Sequence, residues 1–262
     1  MKPSQTVLIT GASGGIGLEL SKLFAKDGYS LVLVARSEDK LQKLAGELKV
    51  PVIILSKDLS KPSSPQEIFD NLLEKKIHID ILVNNAGFGS YGFFYNTSLE
   101  EELKLLQVNI IALTHLTKLF LPSMIQHHDG KILNVSSTAA FQPGPLMAVY
   151  YASKAYVQSF SEALSNELIG TGVTVTALCP GPTKTDFQSR ANMEESKLFL
   201  GKIMEAKTVA EIGYHGLMKG KRVVIPGFYN KLLAWVSKLS PNRMVIPIVR
   251  KMQEKRKGTP SP

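Results

Sequence analysis

The 262-residue chain has one cysteine and one tryptophan, and no unbroken apolar run near the ~18 to 20 residues that a membrane-spanning helix needs. A lone Cys179 makes no internal disulfide and no thiolate metal cluster, and its apolar surroundings suit a buried, inert thiol. The opening Met1-Lys2-Pro3-Ser4 runs straight into a strand-like stretch with no room for a secretory signal, so a soluble, cytoplasmic body is expected. Acidic residues are almost missing from the C-terminal end. Residues 219–262 hold eleven Lys and Arg against the single acid Glu254, a charge of +10, which leaves −1 of the total +9 for the other 218 residues. An evenly basic nucleic-acid binder is thereby excluded, whereas a near-neutral body with a cationic end points to an anionic surface or partner met by that end. With 44% apolar and 20% charged residues, disorder and fibrous architecture are excluded as well.

What is present is an alternation. Short β-branched runs at Thr6–Thr10, Ser30–Ala35, Val52–Leu55, Asp80–Asn84, Lys131–Ser136, Val173–Cys179 and Arg222–Pro226 read as strands. Stretches of 3.6-residue period fall between them, at Gly15–Asp27, Glu38–Leu48, Ser64–Lys76, Leu99–Gln126, Val149–Ile169 and Val209–Lys219. Runs such as Leu31-Val32-Leu33-Val34 need cover on both faces, which predicts an α/β fold, a doubly wound parallel sheet of seven strands between two helix layers. Ser98 and Glu101 offer a capping box for the long fourth helix, so Glu100-Glu101-Glu102 reads as a helix start rather than a metal site. The simplest division is a catalytic domain over 1–227 and a basic helical extension over 228–262 that frays from Gly258 to Pro262.

Directly after the first strand comes Thr10-Gly11-Ala12-Ser13-Gly14-Gly15-Ile16-Gly17. Backbone amides at a helix N-terminus hold a pyrophosphate only if nothing bulky intervenes, so Gly11, Ser13, Gly14, Gly15, Ile16 and Gly17 form a candidate dinucleotide-phosphate turn. An NAD site places a carboxylate at the end of the second strand; here Ala35 and Arg36 stand there, and a guanidinium favours the 2′-phosphate of NADP, with NAD kept open. Asp58 and Leu59, just after the third strand, are within reach of an adenine, although Asp58 also suits a plain turn.

Ser136-Ser137 closes the fifth strand, and Tyr150-Tyr151-Ala152-Ser153-Lys154 opens the next helix. Tyr150 and Lys154, four residues apart, share a helix face, and a nearby ammonium is what a phenol near pKa ~10 needs to move a proton at neutral pH. Together with Asn84-Asn85-Ala86-Gly87, Asn109 and Pro180-Gly181, these motifs resemble the compact branch of the short-chain dehydrogenase/reductase family over about residues 5 to 227. The resemblance implies a Rossmann domain in which Tyr150 is the general acid, Ser137 orients the substrate oxygen, Lys154 binds the nicotinamide ribose and depresses the tyrosine pKa, and Asn109 holds a relay water. It also implies that Asn85, Ala86 and Gly87 shape the cofactor groove, that Pro180, Gly181, Thr183 and Thr185 meet the nicotinamide end, and that copies of the chain associate as a dimer or tetramer. No metal is implied.

Phe88, Phe93, Phe94, Tyr95, Phe141, Pro143, Met147 and Phe187 fall in loops placed beside the nicotinamide, and Asp186–Glu205, with Met193, Leu198, Phe199, Leu200 and Met204, looks like the family's variable lid. They imply an apolar pocket for a small lipophilic ketone or alcohol, ketoacyl- or steroid-like. The adjacent His127-His128 reads as surface. Past Gly227 the chain continues for 35 residues, in which Phe228, Leu232, Trp235, Val236 and Leu239, then Val245, Ile248, Val249 and Met252, recur at helical spacing ahead of Lys255-Arg256-Lys257. Such helices suit peripheral membrane contact through 228–257, with Trp235 near the headgroups, and equally suit docking on the chain's own body or a second subunit; Pro247 argues against a continuous second helix. A reductase of lipophilic ketones is the leading expectation. A ketoacyl-carrier-protein reductase and a non-catalytic cofactor-sensing protein are the alternatives.

Overall fold

Strand β1 (Thr6–Thr10) turns Val7 and Ile9 to one face of the sheet and Leu8 to the other, and all three are fully buried. Such two-sided burial recurs in β2 (Ser30–Ala35), β4 (Ile81–Asn84), β5 (Gly130–Val135) and β6 (Val173–Leu178). With β3 (Val52–Ser56) and β9 (Val223–Val224) these make a seven-stranded, all-parallel sheet of order β3-β2-β1-β4-β5-β6-β9. The computed structural model describes residues 5–191, 193, 196, 197 and 203–254. Met1 to Ser4, the lid residues Leu198, Phe199 and Leu200, the Lys255-Arg256-Lys257 run and the Gly258–Pro262 end lie outside the described residues.

One face of the sheet is covered by α1 (Gly15–Lys26), α2 (Glu38–Glu47) and α8 (Ala206–Met218), which send in Leu20, Phe24, Leu41, Leu44 and Leu217. The other is covered by α3 (Ser64–Glu74), the long fourth helix and α6 (Ala148–Glu167), through Ile68, Leu72, Leu116, Phe120, Met124 and Leu164. The long helix begins as α4 (Leu99–Leu106), passes through a π-helical turn at Gln107–Ala112 and continues as α5 (Leu113–Gln126). Across its 28 residues, an 18-residue stretch reaches a mean hydropathy of 1.4, long and apolar enough to cross a membrane by length and composition, but Leu105, Leu113, Leu116, Phe120 and Met124 are buried in the protein. Ser98 stands at the start of α4 without a side-chain cap bond, and the Glu101 carboxylate pairs with Lys104 at 3.2 Å; the predicted capping box is not formed.

Under the centre of the sheet runs a buried polar chain. Asn84 lies beside Asn134 in the β4–β5 register, and its amide donates to Asn134 Oδ1 at 2.9 Å and to Thr117 Oγ1 at 3.1 Å. Asn134 in turn donates to Ser161 Oγ at 2.9 Å, tying both strands to α5 and α6.

The predicted strand over Arg222–Pro226 shrinks to β9, which pairs only at Val223 and Val224, since Pro226 has no N–H to continue a ladder at the sheet edge. A small second sheet, β7 (Thr183–Lys184) with β8 (Met204–Glu205), and the short α7 (Phe187–Arg190) frame the lid. Beyond the sheet come α9 (Phe228–Leu239) and α10 (Asn242–Gln253). Contrary to the sequence expectation, α10 runs through Pro247: the carbonyl that proline leaves without its i−4 bond belongs to Arg243, in the exposed first turn. Val245 and Val249 dock with Tyr151, Met147, Ala191 and Met193 in a third apolar cluster, and Tyr91 donates to the Gln253 carbonyl at 2.8 Å.

Candidate active site

Every strand of the parallel sheet points its carboxyl end at the same rim, and the loops leaving β1, β4, β5 and β6 line one cleft of about 810 Å³. Its first wall is backbone. Gly11 and Gly15 adopt φ of +67° and +55°, open to glycine at little cost. A Cβ on Gly11 would sit 2.8 Å from Asn85 Nδ2, and one on Gly17 would collide with that atom and with the Gly11 carbonyl. Asn85 earns this close approach by donating to the carbonyls of Thr10 (2.9 Å) and Gly11 (3.2 Å). Thr10 Oγ1 accepts from the Asn85 and Ala86 N–H groups at 3.0 Å each, which locks the loop after β4 to the glycine turn. At Gly14, by contrast, a Cβ would meet nothing nearer than Asp186 Oδ2 at 4.0 Å, and α1 starts with no side-chain cap and no acid in its first turn. Bare N–H groups at a helix N-terminus, floored by a residue without a side chain, fit a dinucleotide pyrophosphate.

Arg36 lines the same cleft at the end of β2, beside Ser37 and Lys57. Lys57 pairs with Glu67 at 2.5 Å. Asp58 and the buried Leu59 also line the cleft, but Asp58 Oδ1 accepts from the Ser60 N–H at 3.0 Å, the bond of a turn former. Partial burial would raise its carboxyl; the Ser60 bonds, with Arg36 and Lys61 nearby, hold it below the usual range.

Ser137, Tyr150 and Lys154 converge in the middle of the cleft. Lys154 is buried, donates to the Val135 carbonyl at 2.9 Å and stands 5.8 Å from the Tyr150 ring centroid. Burial lowers its ammonium to about 8, with Cys179 pulling weakly the other way. Burial likewise raises Tyr150 to about 12, against the Ser137 hydroxyl, which pulls it down. The expected depression of the phenol by Lys154 is not found: the two groups share a helix face, but burial dominates the shift and the Ser137 hydroxyl is what works against it. Ser137 Oγ accepts from the Ala139 N–H at 3.1 Å. Tyr151 also borders the cleft but is packed among the buried residues of the apolar cluster under α10.

Asn109 sits in the π-helical turn, and its side chain is fully committed. It donates to the Phe88 carbonyl (3.0 Å) and Ser153 Oγ (3.1 Å) and accepts from the Phe88 N–H (3.1 Å), so its amide clamps the loop after β4 onto α6. A Cβ on Gly87 would stand 3.0 Å from Asn109 Oδ1 and 3.3 Å from Lys154 Nζ, which is why the Asn85-Ala86-Gly87 loop can pass this close to the reactive centre. Pro180, Gly181, Thr183 and Thr185 line the facing wall. Thr183 donates to the Gly181 carbonyl at 2.9 Å, and the Thr185 methyl is the first atom a Cβ on Gly15 would meet, at 3.0 Å, so Thr185 lies against the glycine turn.

The substrate end departs most from expectation. Phe88, Met147, Phe187 and Met193 line the cleft as expected. Phe94 and Tyr95 are exposed, Phe93 lies under the Arg250 guanidinium at 4.9 Å, and Phe141 lines a separate outer groove beside α9. Their places are taken by Tyr229, Asn230, Leu233, Ala234 and Met252 from the C-terminal helices. Asn230 packs where a Cβ on Gly181 would be, 2.5 Å from its Oδ1. No signal in the sequence marks these five as cleft residues, Met252 being read only as part of a helical period, because they reach the cleft through tertiary docking alone. Ser37 and Lys57 are also missing from the sequence reading, although each adjoins a residue it includes. Among the described residues no three His, Cys, Asp or Glu gather as metal ligands would, and the His127 ring lies tilted against that of His78, centroids 4.4 Å apart.

A family model described as short chain dehydrogenase matches residues 5–196. The very-long-chain 3-oxoacyl-CoA reductase of Anas platyrhynchos is 30% identical over 251 residues, covering 93% of this chain and 78% of its own. A short-chain dehydrogenase from Sphingobium yanoikuyae, solved in complex with NADPH, aligns with a TM-score of 0.80 at 35% identity, over 86% of this chain and 88% of that one. The bulky-bulky ketone specific alcohol dehydrogenase from Comamonas testosteroni aligns with a TM-score of 0.76 at 29% identity, over 98% of this chain and 97% of its own. The likeness runs from the glycine turn through the whole parallel sheet, and on that ground the chain belongs to the short chain dehydrogenase family, oxidoreductases acting between alcohol and ketone groups.

Proposed function

We propose that the chain reduces ketones on lipophilic substrates to alcohols with NADPH, and runs the reverse reaction with NADP. One observation carries this reading: a single cleft joins the bare helix N-terminus of α1, the Ser137-Tyr150-Lys154 group and an end lined by Met147, Phe187, Met193, Leu233 and Met252. When bound, the nicotinamide supplies a hydride to the carbonyl carbon. Tyr150 gives its phenolic proton to the carbonyl oxygen; at about 12 the group stays protonated throughout the neutral range, the state a proton donor needs. Ser137 Oγ holds that oxygen in line with the phenol. Lys154, mostly charged at pH 7, binds the ribose hydroxyls and favours the phenolate left behind. Asn109 positions the loop that carries Gly87.

Arg36, Ser37 and Lys57 line the cleft where the adenosine 2′-phosphate of NADP would lie, and the end of β2 is Ala35-Arg36 with no carboxylate, which supports NADPH over NADH. The relative from Anas platyrhynchos acts on 3-oxoacyl-CoA, which supports ketoacyl thioesters, on CoA or a carrier protein, as one substrate class. We further assign catalysis to residues 1–227 and peripheral membrane contact, from the cytoplasmic side, to the extension over 228–257. Exposed Leu99, Leu103 and Ile111 on the long helix, with Tyr156 on α6, support a homo-oligomer, dimer or tetramer. The test is loss of NADPH absorbance against medium-chain ketones, ketoacyl thioesters and steroids. Consumption with at least one class, faster than with NADH, is expected. No consumption from any of them, with NADPH bound, would favour the cofactor-sensing protein instead.

A further inference from the structure

Helix α9 is inside out. The seam it lays on the body is narrow and consists of Asn230, Ala234 and Ser237, at spacings of four and three, while its large apolar side chains face away. Trp235 is 64% exposed and Leu239 65%; on α10, Ile248 is 62% exposed beside the buried Val245 and Val249. Of the 19 exposed large hydrophobic residues among those described, 11 belong to these two helices, so exposed apolar surface is concentrated there. Exposed Lys231, Lys238, Arg243 and Lys251 border it, and no acid occurs between Lys219 and Gln253. The patch also runs into the cleft: Tyr229, Leu233 and Met252 line the substrate end while 78%, 55% and 42% exposed.

We propose that this face docks on an anionic lipid bilayer and that the substrate end of the cleft opens onto the docked side, so that a ketone dissolved in the lipid reaches Tyr150 without crossing bulk water. The docking half deepens the membrane contact assigned above, and the delivery half rests on the ketone-reductase reading. Charge selects the occupant. An acid-free cationic border around an apolar field matches anionic headgroups over acyl chains, whereas a second copy would set the same cations against each other across a two-fold axis. Aromatic and aliphatic side chains around Trp235 supply the salt-resistant part of binding, and the lysines the salt-sensitive part.

The experiment uses the full chain, vesicles of equal parts phosphatidylglycerol and phosphatidylcholine, vesicles of phosphatidylcholine alone, and two ketones: water-soluble cyclohexanone and a long-chain methyl ketone held in the vesicles. The wild type should sediment with the anionic vesicles and not with the neutral ones. Its turnover of the long-chain ketone should follow the mole fraction of ketone in the lipid. Trp235→Asp with Leu239→Asp, and separately Lys231→Glu with Lys238→Glu, should weaken vesicle binding by about tenfold or more and slow the long-chain ketone in proportion. Both pairs should leave cyclohexanone reduction and NADPH binding unchanged. The lysine pair keeps the test sharp if the first pair misfolds. Failure to sediment at low salt, or a long-chain rate indifferent to vesicle binding while cyclohexanone is still reduced, overturns the proposal and leaves the reductase reading standing. Absence of NADPH oxidation with either ketone removes that reading and the delivery step with it. If either pair turns a dimer into a monomer by light scattering without vesicles, a second copy covers the face and the lipid proposal is overturned.

Discussion

The two ends of the cleft are built by opposite means. At the cofactor end, backbone meets backbone: Gly11, Gly17 and the Asn85-Ala86-Gly87 loop stand so close that a single methyl group is excluded, and Thr10 and Asn85 bond every approach. At the substrate end, side chains from α7, α9 and α10 meet across an opening in which Tyr229, Leu233 and Met252 are still exposed. The wall at the cofactor end has one shape, since its glycines have no rotamers and its Thr10 and Asn85 side chains are held by hydrogen bonds to backbone. A side-chain-built wall can be re-cut residue by residue without disturbing the sheet beneath. The comparison predicts that substitutions at the first end act on binding and stability together, and at the second on substrate choice alone.

The largest expected effect lies between the two ends. Tyr150→Phe keeps the ring packed against Phe187 and removes only the transferable proton, so kcat should fall by ~10²- to 10⁴-fold while NADPH affinity, read by fluorescence titration, stays as it is. Retained activity would shift the acid role to Tyr151. At the cofactor end, Gly17→Ala should cost about 1–3 kcal/mol in denaturant unfolding and weaken NADPH binding in the same protein, because the added methyl meets Asn85 and the Gly11 carbonyl. An intact fold that binds NADPH normally would show that the backbone wall can yield. Arg36→Ala with Lys57→Ala should weaken NADPH by about ten- to a hundredfold, the loss of one or two hydrogen bonds to a charged group, and leave NADH unaffected.

A smaller effect concerns Lys154, whose ammonium burial lowers from 10.5 to about 8 in the folded chain. Below pH 8 both folded and unfolded chains carry the proton, and the cost of the buried charge is felt in full. Between about 8 and 10 the unfolded chain still binds a proton that the folded one has released, so the contribution of this group to stability rises with pH. Lys154→Met should therefore be most stabilised relative to wild type at neutral pH, and thermal unfolding at pH 7, 8 and 9 should show the gap closing as pH rises. A gap constant with pH would place the charge in water. The smallest effect is at the substrate end, where Leu233→Ala should change KM for bulky ketones several-fold, with NADPH affinity and Tm unchanged.

These contrasts also decide what could be read in advance. β1 and β2 have the residue bounds expected of them, because a parallel strand buried on both faces is an apolar run with abrupt ends. Tyr150 and Lys154 were legible because four residues on a helix fix their juxtaposition; the sign of the phenol shift was not, because desolvation comes from neighbours distant in the chain. In α9 the apolar period was legible and its direction was not. Hydrophobic spacing marks a face but carries no arrow, and here the seam on the body is made by Asn230, Ala234 and Ser237. The aromatic loop residues Phe93, Phe94 and Tyr95 failed as pocket residues for a related reason: loop position places a residue near a site, and only packing turns it inward.

The Asn84–Asn134 bond gives the sheet an index mark. β4 carries the loop that supports the cofactor turn and β5 carries Ser137, and the long crossover through α4 and α5 lies between them in the chain. Sliding one strand by a single residue would displace the two loops relative to each other by about 3.3 Å along the strand axis and turn that strand's asparagine to the opposite face, away from the other asparagine and from its own partner, Thr117 for Asn84 or Ser161 for Asn134. Buried amides without partners penalise that misalignment heavily, whereas a wholly aliphatic pair would tolerate it. Two hydrogen-bonded asparagines thus keep the halves of the active site level during folding, before any ligand is there to align them.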